Sequence, residues 1–590
     1  MSAEVIDTKR ANRAQRAVMA ATGAQGLSEA SLSVLASVPE WWRRRAQAAG
    51  IRSPWGLDVF TAVSAEPPVD MVSLGFASPR DDLHEASCEA LTDAYVVSLD
   101  AEVRTADGRH YTPPALAAAL YERAVADLDE KPGGLVWDPA AGAGALLLPA
   151  LRDWLSDQAT VQPDITLTRV TRCIGGRDLD AAAVWLGSVV LAAELLETWQ
   201  RVPARRRLPL PALLQLGDGL SAPPQQPQVT ILNPPYGRVR LAEKDRATWA
   251  HVLAGHANRY QLFLAAAVDH AADAGTVAAL IPAGWIGGKY FQLLRKHLAS
   301  KAPLRQVSYI ADRSGVFSTG VLQETVLAVF RRGEAGDVAC EQVTMNGTVK
   351  SAAIGHGTIP TDTSLPWLLP RSQDDNALVA AAGGMTKRLK DYHWKVSTGP
   401  LVWNRHKDQL SAEPRRRSVK IVWAADLDGG KLHQDPLRDK MRWVEMRHDA
   451  DERTLVLRQP AVLVQRTTAP EQNRRLVATA LDAAELEQWG GRVSVENHVN
   501  VLRCGTEDSV LTPRLLTALL DSAAVDRLYR CLTGSVAVSA YELSALPLPD
   551  AELLRRWAKL DPAVLPAEID RVYGLVRDAE QPEPGTSSPS

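Results

Sequence analysis

The stretch Thr230-Ile231-Leu232-Asn233-Pro234-Pro235-Tyr236-Gly237 sets the tightest limit on how this chain folds. Its first three residues read as a buried strand, and the two prolines end it, because proline has no N–H for a ladder and a locked φ. The chain is thereby turned at the carboxyl edge of a sheet, where open α/β sheets bind ligands. There Asn233 offers a side-chain carbonyl, Pro234 a main-chain carbonyl and Tyr236 a flat apolar ring. This set suits a planar substrate that carries an NH₂ group. A ring-conjugated amine is a weak nucleophile, since its lone pair is delocalised. Two acceptors aimed at its hydrogens draw the nitrogen towards tetrahedral geometry and favour attack on an electrophilic methyl group. In isolation the tetrapeptide reads equally as a proline-rich turn that merely ends a strand.

What precedes it has the same plan. Gly134 to Trp137 reads as a strand running into Asp138-Pro139-Ala140-Ala141-Gly142-Ala143-Gly144, with a helix over Ala145 to Leu155. Glycines let backbone approach a ligand, and a helix N-terminus favours a negative group. No G-x-G-x-x-G is present, so a nicotinamide fingerprint is a poor match. A second strand is expected over Val170 to Gly175, ending at Asp178-Leu179-Asp180 ahead of an apolar helix. An acid at the end of that strand suits the ribose hydroxyls of an adenosine-bearing cofactor, and Asp178 is the candidate. A third strand, Leu213 to Leu216, ends at Asp218, placed for an adenine amino group. Upstream, Thr112-Pro113-Pro114 predicts a capped helix over Ala115 to Val125, with Thr112 as N-cap and Pro113 at the first helical position. Downstream, Arg238 to Ala257 is a polar loop and a candidate lid, carrying Arg238 and Arg240 as candidate phosphate contacts. Strands over Thr276 to Ile281, Val307 to Ala311 and Thr325 to Arg331 bring the count to seven, with the last two expected as an antiparallel edge pair. The fold class is thus α/β, a doubly wound seven-stranded sheet.

Tyr111-Thr112-Pro113, Asp138-Pro139-x-x-Gly142-x-Gly144, Asp178-x-Asp180, Asp218 and Asn233-Pro234-Pro235-Tyr236, in this order, resemble the motif set of amino-methylating DNA methyltransferases. More narrowly they resemble the N6-adenine enzymes of restriction-modification systems with gamma-type motif order, over roughly Val103 to Arg332. The resemblance implies a class I S-adenosylmethionine-dependent methyltransferase fold with S-adenosyl-L-methionine as cofactor. Tyr111, Thr112 and Pro113 would face its methionine part. Asp138, Pro139, Gly142 and Gly144 would hold its amino-acid moiety, Asp178 its ribose and Asp218 its adenine. Asn233, Pro234, Pro235 and Tyr236 would grip a flipped-out adenine, with Phe317 as a second stacking ring. It further implies double-stranded DNA as partner, a separately encoded restriction endonuclease or other defence subunit, and protection of host DNA. The Asn-Pro-Pro-aromatic turn also serves enzymes that methylate a protein glutamine amide or an rRNA base. A DNA-binding modification subunit that needs a partner for activity is the third reading.

Beyond Arg332 the pattern shifts to short β-like runs, and between Lys387 and Arg475 there are 20 Lys/Arg against 12 Asp/Glu. Phosphate contacts need such a local excess, which the whole-chain charge of −3 conceals. Arg405, Lys407, Arg415, Arg416, Arg417, Arg466, Arg474 and Arg475 are candidates, beside Trp403 and Asn404. Gln465 to Thr468 and Glu496 to Asn500 read either as base-edge contacts or as buried turn networks. The expected domains are a helical region at 1–100, the catalytic domain at 101–335, a mixed α+β target-recognition domain at 336–550, and helices with a disordered tail at 551–590. Five cysteines without a C-x-x-C pair and twelve histidines without H-E-x-x-H reveal no metal-ligand motif. No apolar run reaches membrane-span length and no basic-then-apolar leader opens the chain, so the cytoplasm is expected.

Overall fold

A computed structural model gives the fold, describing residues 27–68, 77–100, 112–311, 324–346, 348–428, 431–434, 439–468, 472–506, 508–532 and 537–575. It divides into two compact units: Met1–Pro282 with Lys296–Gly336 and Val343–Ala352, and Ala283–Arg295 with Asp337–Gln342 and Ala353–Ser590. The boundary expected at residue 100 falls inside the first unit. Among the described residues no helix is long and apolar enough to cross a membrane.

The first unit is built on strands β1 (Val136–Asp138), β2 (Ile174–Asp178), β3 (Leu214–Leu216), β4 (Val229–Leu232), β5 (Thr276–Pro282), β6 (Leu304–Ile310) and β7 (Thr325–Arg331). They lie in the order β6-β7-β5-β4-β1-β2-β3, and the sheet runs on past β6 into Val338–Asn346 and Thr348–Gly357, making nine strands where seven were expected. β1 to β5 pair in parallel. β7 is antiparallel to both β5 and β6, so it is inserted and is not an edge strand. Its residues are buried at every position but the last. A strand apolar on both faces needs cover on both sides and so belongs inside a sheet.

Helices α1 (Glu29–Ala48), α2 (Cys88–Ser98), α3 (Pro114–Ala126), α4 (Leu147–Asp157), α5 (Pro163–Cys173) and α6 (Ala181–Glu194) flank these strands. One apolar core runs from Val34 of α1 through Leu91 of α2 to Ile231 and Val329 of the sheet. The strand expected over Val170 to Gly175 is a correction: α5 holds Val170–Cys173 and β2 starts at Ile174. Pro163 opens α5, and Thr166, Val170 and Cys173 are its buried face, a helical spacing.

The second unit contains a four-stranded sheet (Trp394–Thr398, Val499–Cys504, Ala461–Gln465, Ala478–Leu481) and a five-stranded one that includes Ser418–Val422 and Trp443–Glu445. Helices Pro513–Asp521 and Ala523–Leu532 pack with the first of these in a separate core. Asp426, fully buried, takes Arg442 Nη1 at 2.8 and 3.0 Å and the Trp423 N–H at 2.9 Å. Burial raises the pKa of this carboxyl, while Trp423 and Arg442 pull it back. Removing one member of such a pair strands the other without water. Arg442→Met is expected to cost the second unit about 3–5 kcal/mol in urea unfolding, and Arg442→Met with Asp426→Leu to recover most of it.

Candidate active site

β4 delivers Asn233 to the carboxyl edge of the sheet, and two prolines prevent the ladder from continuing. The Asn233 amide is held at both ends: Nδ2 donates to Thr112 Oγ1 at 2.8 Å, and Oδ1 accepts from the Tyr236 hydroxyl at 2.9 Å. The Tyr236 hydroxyl also lies 3.0 Å from the carbonyl of Leu280 in β5. Burial raises its pKa far above the ordinary phenol value, so it is neutral and a donor. Its ring meets Tyr260 edge-on, with centroids 6.4 Å apart. Thr112 is not the helix cap that its sequence suggests. α3 begins at Pro114 with Pro113 as its N-cap and no side-chain cap bond, and the threonine hydroxyl serves the Asn233 amide. Proline in the first turn lessens the need for a cap because one orphan N–H is already absent.

Beside this row lies a cavity of about 70 Å³, lined among others by Thr112, Asn233, Asp138, Gly142 and, from α2, Thr92 and Val96. The glycine loop curls over it with positive φ at Gly142 (51°) and Gly144 (83°). Asp178 fixes that loop: Oδ2 accepts the Gly142 N–H and Oδ1 the Asp180 N–H, both at 2.9 Å. Asp180 caps α6 and accepts from the Tyr95 hydroxyl at 2.9 Å. Nothing in the sequence pattern marked Tyr95, Thr92 or Val96 for the site. Asp218 is exposed in a turn that Arg177 braces by donating to the Asp218 carbonyl at 3.3 Å. Next to it, a Cβ on Gly219 would stand 1.7 Å from the Pro139 carbonyl oxygen, so the first and third strand ends touch through backbone alone.

Asp138 is the most unusual group here. Its side chain is buried; Oδ1 accepts the Ala140 N–H at 2.9 Å, and Oδ2 has no hydrogen-bond partner among the described residues. Burial pushes its pKa up to about 8; the Ala140 bond opposes this and the Asp178 charge adds to it. Thr112, Pro113, Asp138, Pro139, Gly142, Asn233 and Tyr236 thus lie on one connected edge, while Tyr111 and Phe317 fall outside the described residues.

In the second unit the basic candidates separate. Arg405, Lys407, Arg415, Arg416 and Arg417 are exposed, as are Arg238 and Arg240 in the first unit. Arg475 is a correction: it is 2% exposed, donates to the Thr468 carbonyl, and its backbone N–H reaches Asp526 Oδ1 at 2.7 Å. A side chain enclosed in that way cannot meet a phosphate. Arg466 donates to the Asn497 carbonyl at 3.2 Å and Arg474 to the Asp521 carbonyl at 2.6 Å. The Gln465 amide serves Ala424 and Leu427, Glu496 is buried against His498, and Asn500 donates to Val538. Within those segments Gln465, Glu496 and Asn500 belong to a hydrogen-bonded network, while Thr467 and His498 are exposed.

Residues 87–350 match the family model described as N-6 DNA Methylase. Two curated relatives are Type II methyltransferase M.BsuBI of Bacillus subtilis, 23% identical over 76% of this chain and 88% of its own length, and Type II methyltransferase M.PstI of Providencia stuartii, 26% identical over 55% and 65%. Among solved structures, the type IIL restriction-modification enzyme MmeI with DNA is 12% identical over 86% of this chain and 81% of its own, at TM-score 0.47. The type IIG restriction endonuclease BpuSI is 14% identical over 94% and 73%, at TM-score 0.45.

The raised pKa of Asp138 has a stability consequence. An unfolded aspartate loses its proton near pH 3.9 and the folded one near 8, so the native state holds the proton more tightly. Ligand-free stability should then fall as pH rises from about 4 through about 8, because ionisation favours the unfolded chain over that window. Asp138→Asn is expected to flatten this part of the profile and to stabilise the ligand-free protein at pH 8, read by thermal unfolding across pH.

Proposed function

We propose, from the match of residues 87–350 to the N-6 DNA methylase family model, that the chain methylates N6 of a flipped-out adenine in a specific double-stranded DNA sequence. The methyl donor in this reading is S-adenosylmethionine. The type II methyltransferases among its relatives support DNA adenine methylation within a restriction-modification system. The observation that carries the mechanism is the row Thr112–Asn233–Tyr236 at the end of β4.

When bound, S-adenosylmethionine supplies an electrophilic methyl on a positive sulfonium, together with an ammonium and a ribose. The donor set fits it. Asp138 Oδ2, buried and without a partner among the described residues, is matched by a cation, and the ammonium is one. Asp178 would take the ribose hydroxyls and Asp218 the adenine amino group. Tyr111, Thr112 and Pro113 would face the methionine part, and Pro139, Gly142 and Gly144 would hold its amino-acid moiety with Asp138.

Asn233 and Pro234 act on the target base. With Nδ2 tied to Thr112, the Asn233 amide keeps its Oδ1 at the sheet edge as the acceptor for one N6 hydrogen. The Pro234 carbonyl accepts the other. Both polarise the amine as it attacks, and stabilisation grows as positive charge builds on nitrogen. The donor would supply the methyl group and leave as a neutral thioether, while Asn233 and Pro234 held the amine and its excess proton passed to water. No covalent enzyme intermediate forms. Tyr236 and Phe317 stack on the flipped base, since the amine cannot be reached inside a duplex. The exposed Arg238 and Arg240 of the catalytic domain at 101–335, and the exposed Arg405, Lys407 and Arg415 to Arg417 of a target-recognition domain at 336–550, contact phosphates.

The test is incubation of purified protein with methyl-labelled donor and unmethylated genomic DNA, with nucleoside analysis. Label in N6-methyladenine is expected; label in N4-methylcytosine would overturn the base assignment. Asn233→Ala should lower transfer at least about 100-fold, with donor affinity, by calorimetry, changed less than about threefold. Asp138→Asn should instead weaken donor binding about tenfold or more, as loss of a buried charge pair requires.

A further inference from the structure

The segment that follows the Asn233 turn carries a side-chain cluster that methyl transfer does not use. Arg238 pairs with Asn258 and Val239 with Ala257, closing residues 240–256 into an excursion from the first unit. At its base the Arg259 N–H donates to the Gly237 carbonyl at 2.9 Å. Further out, buried Gln261 of the helix Arg259–His270 donates to the Val252 carbonyl at 2.6 Å. His251 stands next to that anchor. Its Nε2 lies 3.8 Å from Asp269 Oδ2, and His297 Nε2 lies 2.9 Å from Asp269 Oδ1. The two imidazole centroids are 5.0 Å apart, and one ligand atom from each of the three residues falls within 4.8 Å of the others.

Those separations enclose a metal-sized point. Imidazole nitrogens and carboxylate oxygens bind zinc at about 2.0–2.2 Å, which spaces tetrahedral ligand atoms by about 3.4 Å. We propose that His251, Asp269 and His297 bind one divalent transition-metal ion of the zinc class, with water as the fourth ligand. Two imidazoles and one carboxylate suit zinc, nickel or cobalt; magnesium and calcium require oxygen donors. All three side chains are reached by solvent, His297 least, so an ion can enter and keep a water. The role is structural. Asp269 and His297 come from helical scaffold and His251 from the excursion, so the ion staples the segment that leaves the Asn233 turn to the helices beneath. The inference is independent of the methyl-transfer reading, since none of its ligands belongs to the proposed donor or base site.

The experiment uses full-length protein stripped with chelator and titrated with zinc chloride by calorimetry, with cobalt(II) absorption as a second probe. One equivalent should bind, and visible bands should report a tetrahedral nitrogen–oxygen site. His251→Gln with His297→Gln should weaken zinc binding at least about tenfold. Trypsin cleavage at Arg240, Lys244 and Arg246 should slow several-fold on zinc addition in the wild-type protein and not in the variant. Unchanged thermal unfolding in chelator checks that the variant folds, and Asp269→Asn gives an independent second variant. Absence of binding, or an unchanged equivalent in both variants, would overturn the site. Binding without slower cleavage would overturn the stapling role.

Discussion

The hydrogen bond from Asn233 Nδ2 to Thr112 Oγ1 joins the end of β4 to the residue before α3, and the rest of the site depends on it. Pro234 and Pro235 remove the ladder partners that would otherwise hold a residue at a strand end. The ladder pairing of β4 reaches Leu232, so side chains orient the Asn233 amide, which would otherwise rotate between two nearly equivalent poses. Thr112 removes one of these, because its hydroxyl accepts from the NH₂ end while the neutral phenol of Tyr236 donates to the carbonyl end. An acceptor whose direction is settled in advance needs no reorganisation when charge develops on a group that it meets.

The same edge carries an electrostatic cost. Asp138 and Asp178 are two carboxylates at adjacent strand ends, and the charge of one disfavours ionisation of the other. Asp178 is relieved by two backbone N–H groups, and Asp138 by one. An acid placed in this way destabilises the ligand-free fold and favours any cation that enters. This is a common pattern at functional sites, where local instability is tolerated because a ligand relieves it. The neighbouring Asp180 shows the contrast: it has helix N–H groups and a tyrosine hydroxyl to bind, and is fully used by the fold.

What was legible in the sequence follows from the range of each interaction. The strand-loop-helix units and the acids at their ends were readable because they are local: a short apolar run, then Asp138, Asp178 or Asp218, then a turn. The pairing of β7 between β5 and β6 was not, since strand order is set by burial on both faces of the assembled sheet. The start of β2 was misplaced because Val170 fits either a strand run or the buried face of α5, and Pro163 settles the choice from seven residues upstream. Thr112 was expected as a cap from its neighbours, but a partner 121 positions away claims its hydroxyl. The contribution of α2 to the cavity had no local sign at all, because Thr92 and Val96 acquire their meaning only when that helix packs on the glycine loop.

The basic residues of the second unit show why a charge count overstates a nucleic-acid surface. Arg442, Arg475, Arg466 and Arg474 add to the count, yet they face buried carboxylates or main-chain carbonyls. Arg442 illustrates the limit, since leaving Asp426 for a phosphate would abandon a fully buried charge. Arg417 is different. Its partner Asp449 is exposed, 2.9 Å away, and an ion pair in water is worth at most about 1 kcal/mol. A phosphate can displace Asp449 at small cost. Arg415 and Arg416 lie beside it, and Lys407, over the Trp403 ring at 5.3 Å, is equally free to move. The exposed basic residues between Arg405 and Arg417 are therefore able to change partners, unlike those whose charge is enclosed by the fold.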